Sequence, residues 1–156
     1  MTDLERNILH KSESIFGKIK GIREHIHQYP ELSYQEFETM KYVSSKLTEF
    51  GIEHKTEVGK TGIVAVIRNE NHPADMPCIG LRADLDALPI QEANNVSYKS
   101  KVDGVMHACG HDVHTAILLG TAEILNSLKS DLPQPVKLIF QPGEEKNPGG
   151  ASLLIK

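Results

Sequence analysis

Val136-Lys137-Leu138-Ile139-Phe140-Gln141-Pro142-Gly143-Glu144-Glu145, residues 136–145, reads as a β-strand that runs directly into two carboxylates. Val136–Gln141 is rich in branched and aromatic apolar side chains, which favour a pleated, buried surface. Pro142-Gly143 ends it, because proline has no amide hydrogen for the ladder and both residues favour a turn. In open α/β sheets the functional crevice lies outside the carboxyl ends of the strands. An adjacent Glu pair on its own is usually a solvated surface feature; its place at a strand end raises the odds of chemistry. Neighbouring carboxylates point in different directions, so one can bind a metal while the other takes a proton from water.

Working outward, residues 12–28 carry Ile15, Ile19, Ile22 and Ile26 at helical spacing. Tyr29-Pro30 closes that helix, since the residue before proline is pushed out of the helical region. Ser33 and Glu36 have the spacing of a capping box for a second helix. Phe37, Met40, Val43 and Leu47 form its apolar stripe, and Gly51 ends it. Ile52–Val58, Gly62–Ile67 and Cys78–Arg82 read as strands. Residues 69–77 and 91–105 are irregular, and 131–135 is a turn. A helix runs from about Val113 to Leu128 with Asp112 as its cap, and an amphipathic helix starts at Gly149 and runs to Lys156. Two helices followed by alternating strands and helices predict an α/β fold, a partial mixed sheet flanked by helices.

Composition narrows the function. Seventeen basic and twenty-one acidic side chains leave a net charge of −4, without the basic patch of a nucleic-acid binder and without support for an anionic membrane surface. No apolar run approaches a membrane span, and Met1-Thr2-Asp3-Leu4-Glu5-Arg6 lacks the features of a secretory signal. The expected location is the cytoplasm, with two unpaired cysteines. Cys78, in an apolar run, is expected to be a small buried hydrophobe.

Two further segments carry dense polar chemistry. His107-Ala108-Cys109-Gly110-His111-Asp112-Val113-His114 holds three of the eight histidines and one of the two cysteines. Thiolate and imidazole suit zinc and related ions. Cys109 and His111 stand two apart, so in an extended loop they face the same way. A helix starting just beyond would favour the thiolate. Nothing in the spacing selects His107 or His114 as ligands, and Asp112 is a helix cap or a support for a ligand. The second segment is Arg82-Ala83-Asp84-Leu85-Asp86-Ala87-Leu88-Pro89, with Arg82, Asp84 and Asp86 on one face of a strand. Asp84 and Asp86 could orient a metal-binding histidine from behind; Arg82 and Asp84 could equally close a turn as an ion pair. His25, His27, His54 and His72 carry no assigned role.

At these residues the sequence resembles the N-acyl-amino-acid amidohydrolases of the aminoacylase and metallo-carboxypeptidase superfamily, in the branch with hippurate hydrolase, N-acetyldiaminopimelate deacetylase and indole-acetyl-amino-acid hydrolase. The matching pieces are Tyr29-Pro30-Glu31-Leu32-Ser33, residues 82–89, Met106–Asp112, and Gln141–Glu145 followed by Gly149-Gly150-Ala151, in the family's order and separation. The resemblance implies a zinc-peptidase-like catalytic domain with two divalent metal ions, zinc or manganese. Cys109 would bridge them, His111 and Glu145 would each add a ligand, Glu144 would be the general base and then acid, and Asp84 and Asp86 would support the site. The implied substrate is an N-acyl amino acid or small peptide, cleaved at its amide bond. Gly143 stands where relatives often carry alanine, a change expected to be tolerable.

Relatives continue further, with more histidine ligands and a lid domain through which they form homo-oligomers. Residues 1–156 are therefore expected to be the N-terminal portion of the catalytic domain, weakly active or inactive alone, with an exposed sheet edge prone to self-association. Two rival readings stay open: a non-catalytic metal-binding module, and a dipeptidase or carboxypeptidase of the same superfamily.

Overall fold

The computed structural model describes residues 1–155. Its framework is a four-stranded mixed sheet built from β1 (His54–Val58), β2 (Gly62–Ile67), β3 (Ile79–Asp84) and β4 (Val136–Gln141), in the order β1-β2-β4-β3. β1 and β2 form an antiparallel hairpin, β4 runs antiparallel to β2, and β3 runs parallel to β4. Alternate residues of the inner strands are buried: Ile63, Ala65 and Ile67 on β2, and Val136, Leu138 and Phe140 on β4. That period of two is the alternation of faces that a pleated strand imposes. Among the described residues no helix is long and apolar enough to cross a membrane.

Three helices complete the core. α1 (Asp3–Gln28) begins nine residues before the expected start at 12, because Thr2 and Glu5 form a capping box and Asp3 and Glu5 lie in the positive first turn. Its Ile22 and Ile26 join the core. α2 (Phe37–Glu49) contributes Met40, Val43 and Leu47, whereas Phe37, expected in the same stripe, is exposed. The Ser33–Glu36 capping box does not form. Glu31 caps the helix instead, accepting the amides of Glu38 at 3.2 Å and Thr39 at 2.7 Å. Glu36 points away from its own helix.

α3 (His111–Ser127) starts two residues earlier than expected, with left-handed Gly110 at its N-cap and Ala116, Leu119 and Ala122 in the core. Asp112 is not a cap; it lies inside the first turn with its carboxylate turned inward to His27 and Arg23. His27, read as a surface residue, is thus buried. Residues 91–105 are irregular, as read. Cys78 is exposed just before β3, contrary to expectation, because the strand begins one residue later at an edge of the sheet. The last element, α4 (Ala151–Leu154), is a single turn; Lys156, where the expected helix was to end, lies outside the described residues.

Candidate metal centre

Parallel pairing sets Asp84 at the end of β3 opposite Gln141 at the end of β4. The Leu85 amide donates to the Gln141 carbonyl at 2.9 Å, which carries the alignment one residue past the strand. The segments leaving these strands, 84–86 and 142–145, therefore emerge side by side, and the start of α3 packs over them. Gly110, at φ 96°, occupies a conformation that costs other residues strain and turns the chain from Cys109 into His111.

The result is a donor set. The Cys109 thiol, one His111 nitrogen and a Glu145 carboxylate oxygen all lie within 4.8 Å of one another. His111 is buried and its Nδ1 stands 2.8 Å from the Asp86 carbonyl oxygen. A carbonyl only accepts, so Nδ1 carries a hydrogen, and it is Nε2 whose lone pair is free once the ring is neutral. Nε2 faces the carboxylates, 3.9 Å from Glu145 Oε1 and 4.0 Å from Glu144 Oε2. An imidazole fixed through one nitrogen with the other aimed at a thiol and a carboxylate is a ligand arrangement for a borderline divalent cation. Glu144 is on the rim, its side chain 42% exposed.

Asp86 lies behind this set. Its Oδ2 accepts the Ser33 hydroxyl at 2.6 Å and the Glu145 amide at 2.9 Å, and its Oδ1 is 3.4 Å from His111 Nδ1. Asp84 sits differently. Its carboxylate takes both Arg82 guanidinium nitrogens, at 2.7 and 3.2 Å, so the ion-pair alternative is the one that forms. Asp84 also joins His111 and His114 in a second group whose donor atoms fall within 4.8 Å. That group suits a cation less well, because Arg82 already neutralises Asp84. His114, three residues after His111 on one helix face, was within reach of the spacing argument but not selected by it.

The electrostatics follow from burial and contact. Burial alone would raise the Asp86 carboxyl, but hydrogen bonds from His111, Ser33 and the backbone of Glu145 and Glu144 hold it well below the usual carboxylate range. Burial would lower His111, but Asp86 and Asp84 outweigh it and raise it to about 9. A cation at Nε2 must therefore displace a proton. The Cys109 thiol is pushed up, first by burial and then by Glu145, Glu144 and Asp84. The thiolate-favouring effect expected of the helix start is thus outweighed by burial and three carboxylates. Burial drives His107 down to about 4, so it is a neutral ring.

Two clefts open on the surface. One of about 400 Å³ beside β3 is lined by Arg82, Asp84, His114 and Ile117 and touches the flank of the site. A more apolar one of about 590 Å³, lined by His25, Ile26, Tyr29, Pro30 and Tyr42, contains none of the Cys109, His111 and Glu145 donors.

Residues 80–156 match the family model of peptidase family M20/M25/M40. N-acetyl-L-cysteine deacetylase of Bacillus subtilis (strain 168) is 48% identical over 134 residues, covering 86% of this chain and 32% of the relative. Hippurate hydrolase of Campylobacter jejuni is 46% identical over 150 residues, covering 96% of this chain and 38% of the relative. The crystal structure of the Bacillus subtilis YXEP protein, described as a dinuclear metal binding peptidase from the M20 family, superposes with a TM-score of 0.84 at 44% identity. It covers 92% of this chain and 39% of that one. The chain spans about a third of the length of the curated relatives it matches.

Proposed function

Residues 80–156 belong to peptidase family M20/M25/M40, and from that premise we propose that this chain contributes to the metal-dependent hydrolysis of the amide bond in N-acyl amino acids. The observation that carries the reading is the His111 ring, fixed by Asp86 through Nδ1 and presenting Nε2 to Cys109 and Glu145. The names of the two curated relatives, a deacetylase and a hippurate hydrolase, support an acyl amino acid as the substrate class.

In this reading Cys109, as a thiolate, His111 and Glu145 would hold divalent cations. Bound there, the cations would supply Lewis-acid polarisation of the amide carbonyl and lower the pKa of water. Glu144 accepts the proton as the water oxygen bonds to the carbonyl carbon. It returns that proton to the amide nitrogen as the carbon–nitrogen bond breaks, leaving an acid and an amine. Its exposed rim position lets it reach both atoms, and no hydrogen bond engages its carboxylate among the described residues. Asp86 keeps His111 in the tautomer that can bind a cation. Residues 1–156 stand in this proposal as the N-terminal portion of the catalytic domain. Three ligands do not complete two metal centres, so turnover by this chain alone is expected to be slow.

The test is cobalt(II) titration of the full chain, read by its thiolate-to-metal absorption, beside assays with hippurate and N-acetyl amino acids in added zinc or manganese. Cys109→Ala is expected to remove the absorption and weaken uptake. Glu144→Gln is expected to preserve uptake and abolish any chelator-sensitive hydrolysis. Uptake unchanged by Cys109→Ala would overturn the proposal.

A further inference from the structure

Glu36 is fully buried, at 0% exposure, and no Lys, Arg or His side chain pairs with it among the described residues. A carboxylate removed from water without a cation is costly. It sits at the N-cap of α2, yet makes no cap; Glu31 has that task. Its two oxygens go elsewhere. Oε1 accepts the Gly143 amide at 2.8 Å, and Oε2 accepts the Thr61 hydroxyl.

Gly143 opens the arm that carries Glu144 and Glu145. On the far side of Glu144, the Glu145 amide donates to Asp86 at 2.9 Å. The two amides flanking Glu144 are thus held by buried carboxylates from separate elements. The same short turn supplies further bracing. Ser33 bonds Asp86, and the Tyr34 ring lies against Gly143. Gly150 closes the arm by donating to the Gly143 carbonyl at 3.0 Å. β4 ends at Gln141, so the sheet ladder gives the arm no support.

We propose that Glu36 is a positioning residue for the Glu144–Glu145 arm, gripping the Gly143 amide and so setting where Glu145 meets Cys109 and His111. This rests on the metal-site reading above. Glu36 touches neither a cation nor a substrate. Its effect passes through the backbone, where an error of about 0.5 Å is enough to spoil a ligand set.

Cobalt(II) titration of the full chain tests it. Glu36→Met keeps the volume and removes the acceptor. It is expected to weaken cobalt binding about 10-fold or more, in the range seen when supports of metal ligands are lost. The thiolate absorption should persist while the ligand-field bands change as Glu145 drifts away. Glu36→Gln, whose carbonyl oxygen can still accept the Gly143 amide, should restore binding to within about 3-fold of wild type, well inside that range. Should Glu36→Met fail to fold, Glu36→Asp decides, because it keeps the charge but withdraws it by one methylene; the same weakening is expected. Wild-type affinity and bands in Glu36→Met, or in Glu36→Asp when that variant decides, overturn the proposal while leaving the metal reading intact. A wild-type chain that shows no thiolate absorption overturns both.

Discussion

His27 Nδ1 lies 2.7 Å from Asp112 Oδ2, and Arg23 Nε lies 2.8 Å from that same oxygen. Both partners come from the last turns of α1, and the carboxylate is the residue after His111. The other face of His27 meets Glu92 at 3.2 Å, whose second oxygen accepts the Ser100 amide at 2.6 Å. The irregular 91–105 segment and α1 together therefore hold the start of the helix that carries a candidate ligand. Removing one member of a buried charged set strands the others. Asp112→Ala is expected to cost about 3–5 kcal/mol of stability, measured by urea unfolding. A loss under about 1 kcal/mol, typical of surface pairs, would contradict a buried role.

Position 143, where relatives often carry alanine and glycine was expected to be tolerable, has no room for a methyl group in this chain. A Cβ built on Gly143 meets Tyr34 ring carbons at 2.5 Å, and its φ of 55° strains any other residue. Gly143→Ala is expected to destabilise by about 1–3 kcal/mol. Adding Tyr34→Ala should make the second change cheaper by relieving the steric part. Strict additivity of the two changes in thermal unfolding would refute the contact.

Asp86 supports both His111 and the Glu145 amide. Its side chain, however, serves Ser33 and Glu145 most directly. Asp86→Ala is expected to weaken zinc binding by about 10- to 100-fold, read by competition with a chromophoric chelator. Equal affinity in the variant would show that the His111 tautomer is set by the backbone carbonyl alone.

His25 stacks on Tyr42 with ring centroids 4.0 Å apart. Burial first, then Lys101 and Lys46, lower its pKa beneath the ordinary 6.5. The unfolded chain therefore takes up this proton before the folded one. The associated stability is present above about 6.5 and is lost as pH falls toward the folded value. In an NMR titration, Lys101→Ala should move the His25 midpoint upward yet leave it below 6.5, since burial remains. A downward movement would show that Lys101 is not a source of the shift.

Much of the frame was readable from neighbours along the chain. Runs of branched apolar residues identified β2 and β4, and isoleucines at helical spacing identified the buried half of α1. The Cys109–His111 spacing and the strand-end Glu pair pointed to a candidate donor set, in which the resemblance assigned Glu145 rather than Glu144 as the ligand. The first turns of α1 were missed although Leu4 and Ile8 stand at helical spacing and Thr2 and Glu5 mark a cap; those apolar side chains are exposed and join no core. Glu36 was misread because Ser-x-x-Glu is equally consistent with a local cap and with two residues that each reach elsewhere.

Sequence alone determined the elements and the chemical types gathered at their ends, because periodicity, turn chemistry and ligand spacing are properties of residues a few positions apart. Tertiary structure decided the partners. Glu36 finds Gly143 across 107 positions, His27 finds Asp112 across 85, and Ser33 finds Asp86 across 53. A buried carboxylate must be satisfied by whatever donor the packed chain brings within reach, and that choice exists only after the sheet and helices have assembled.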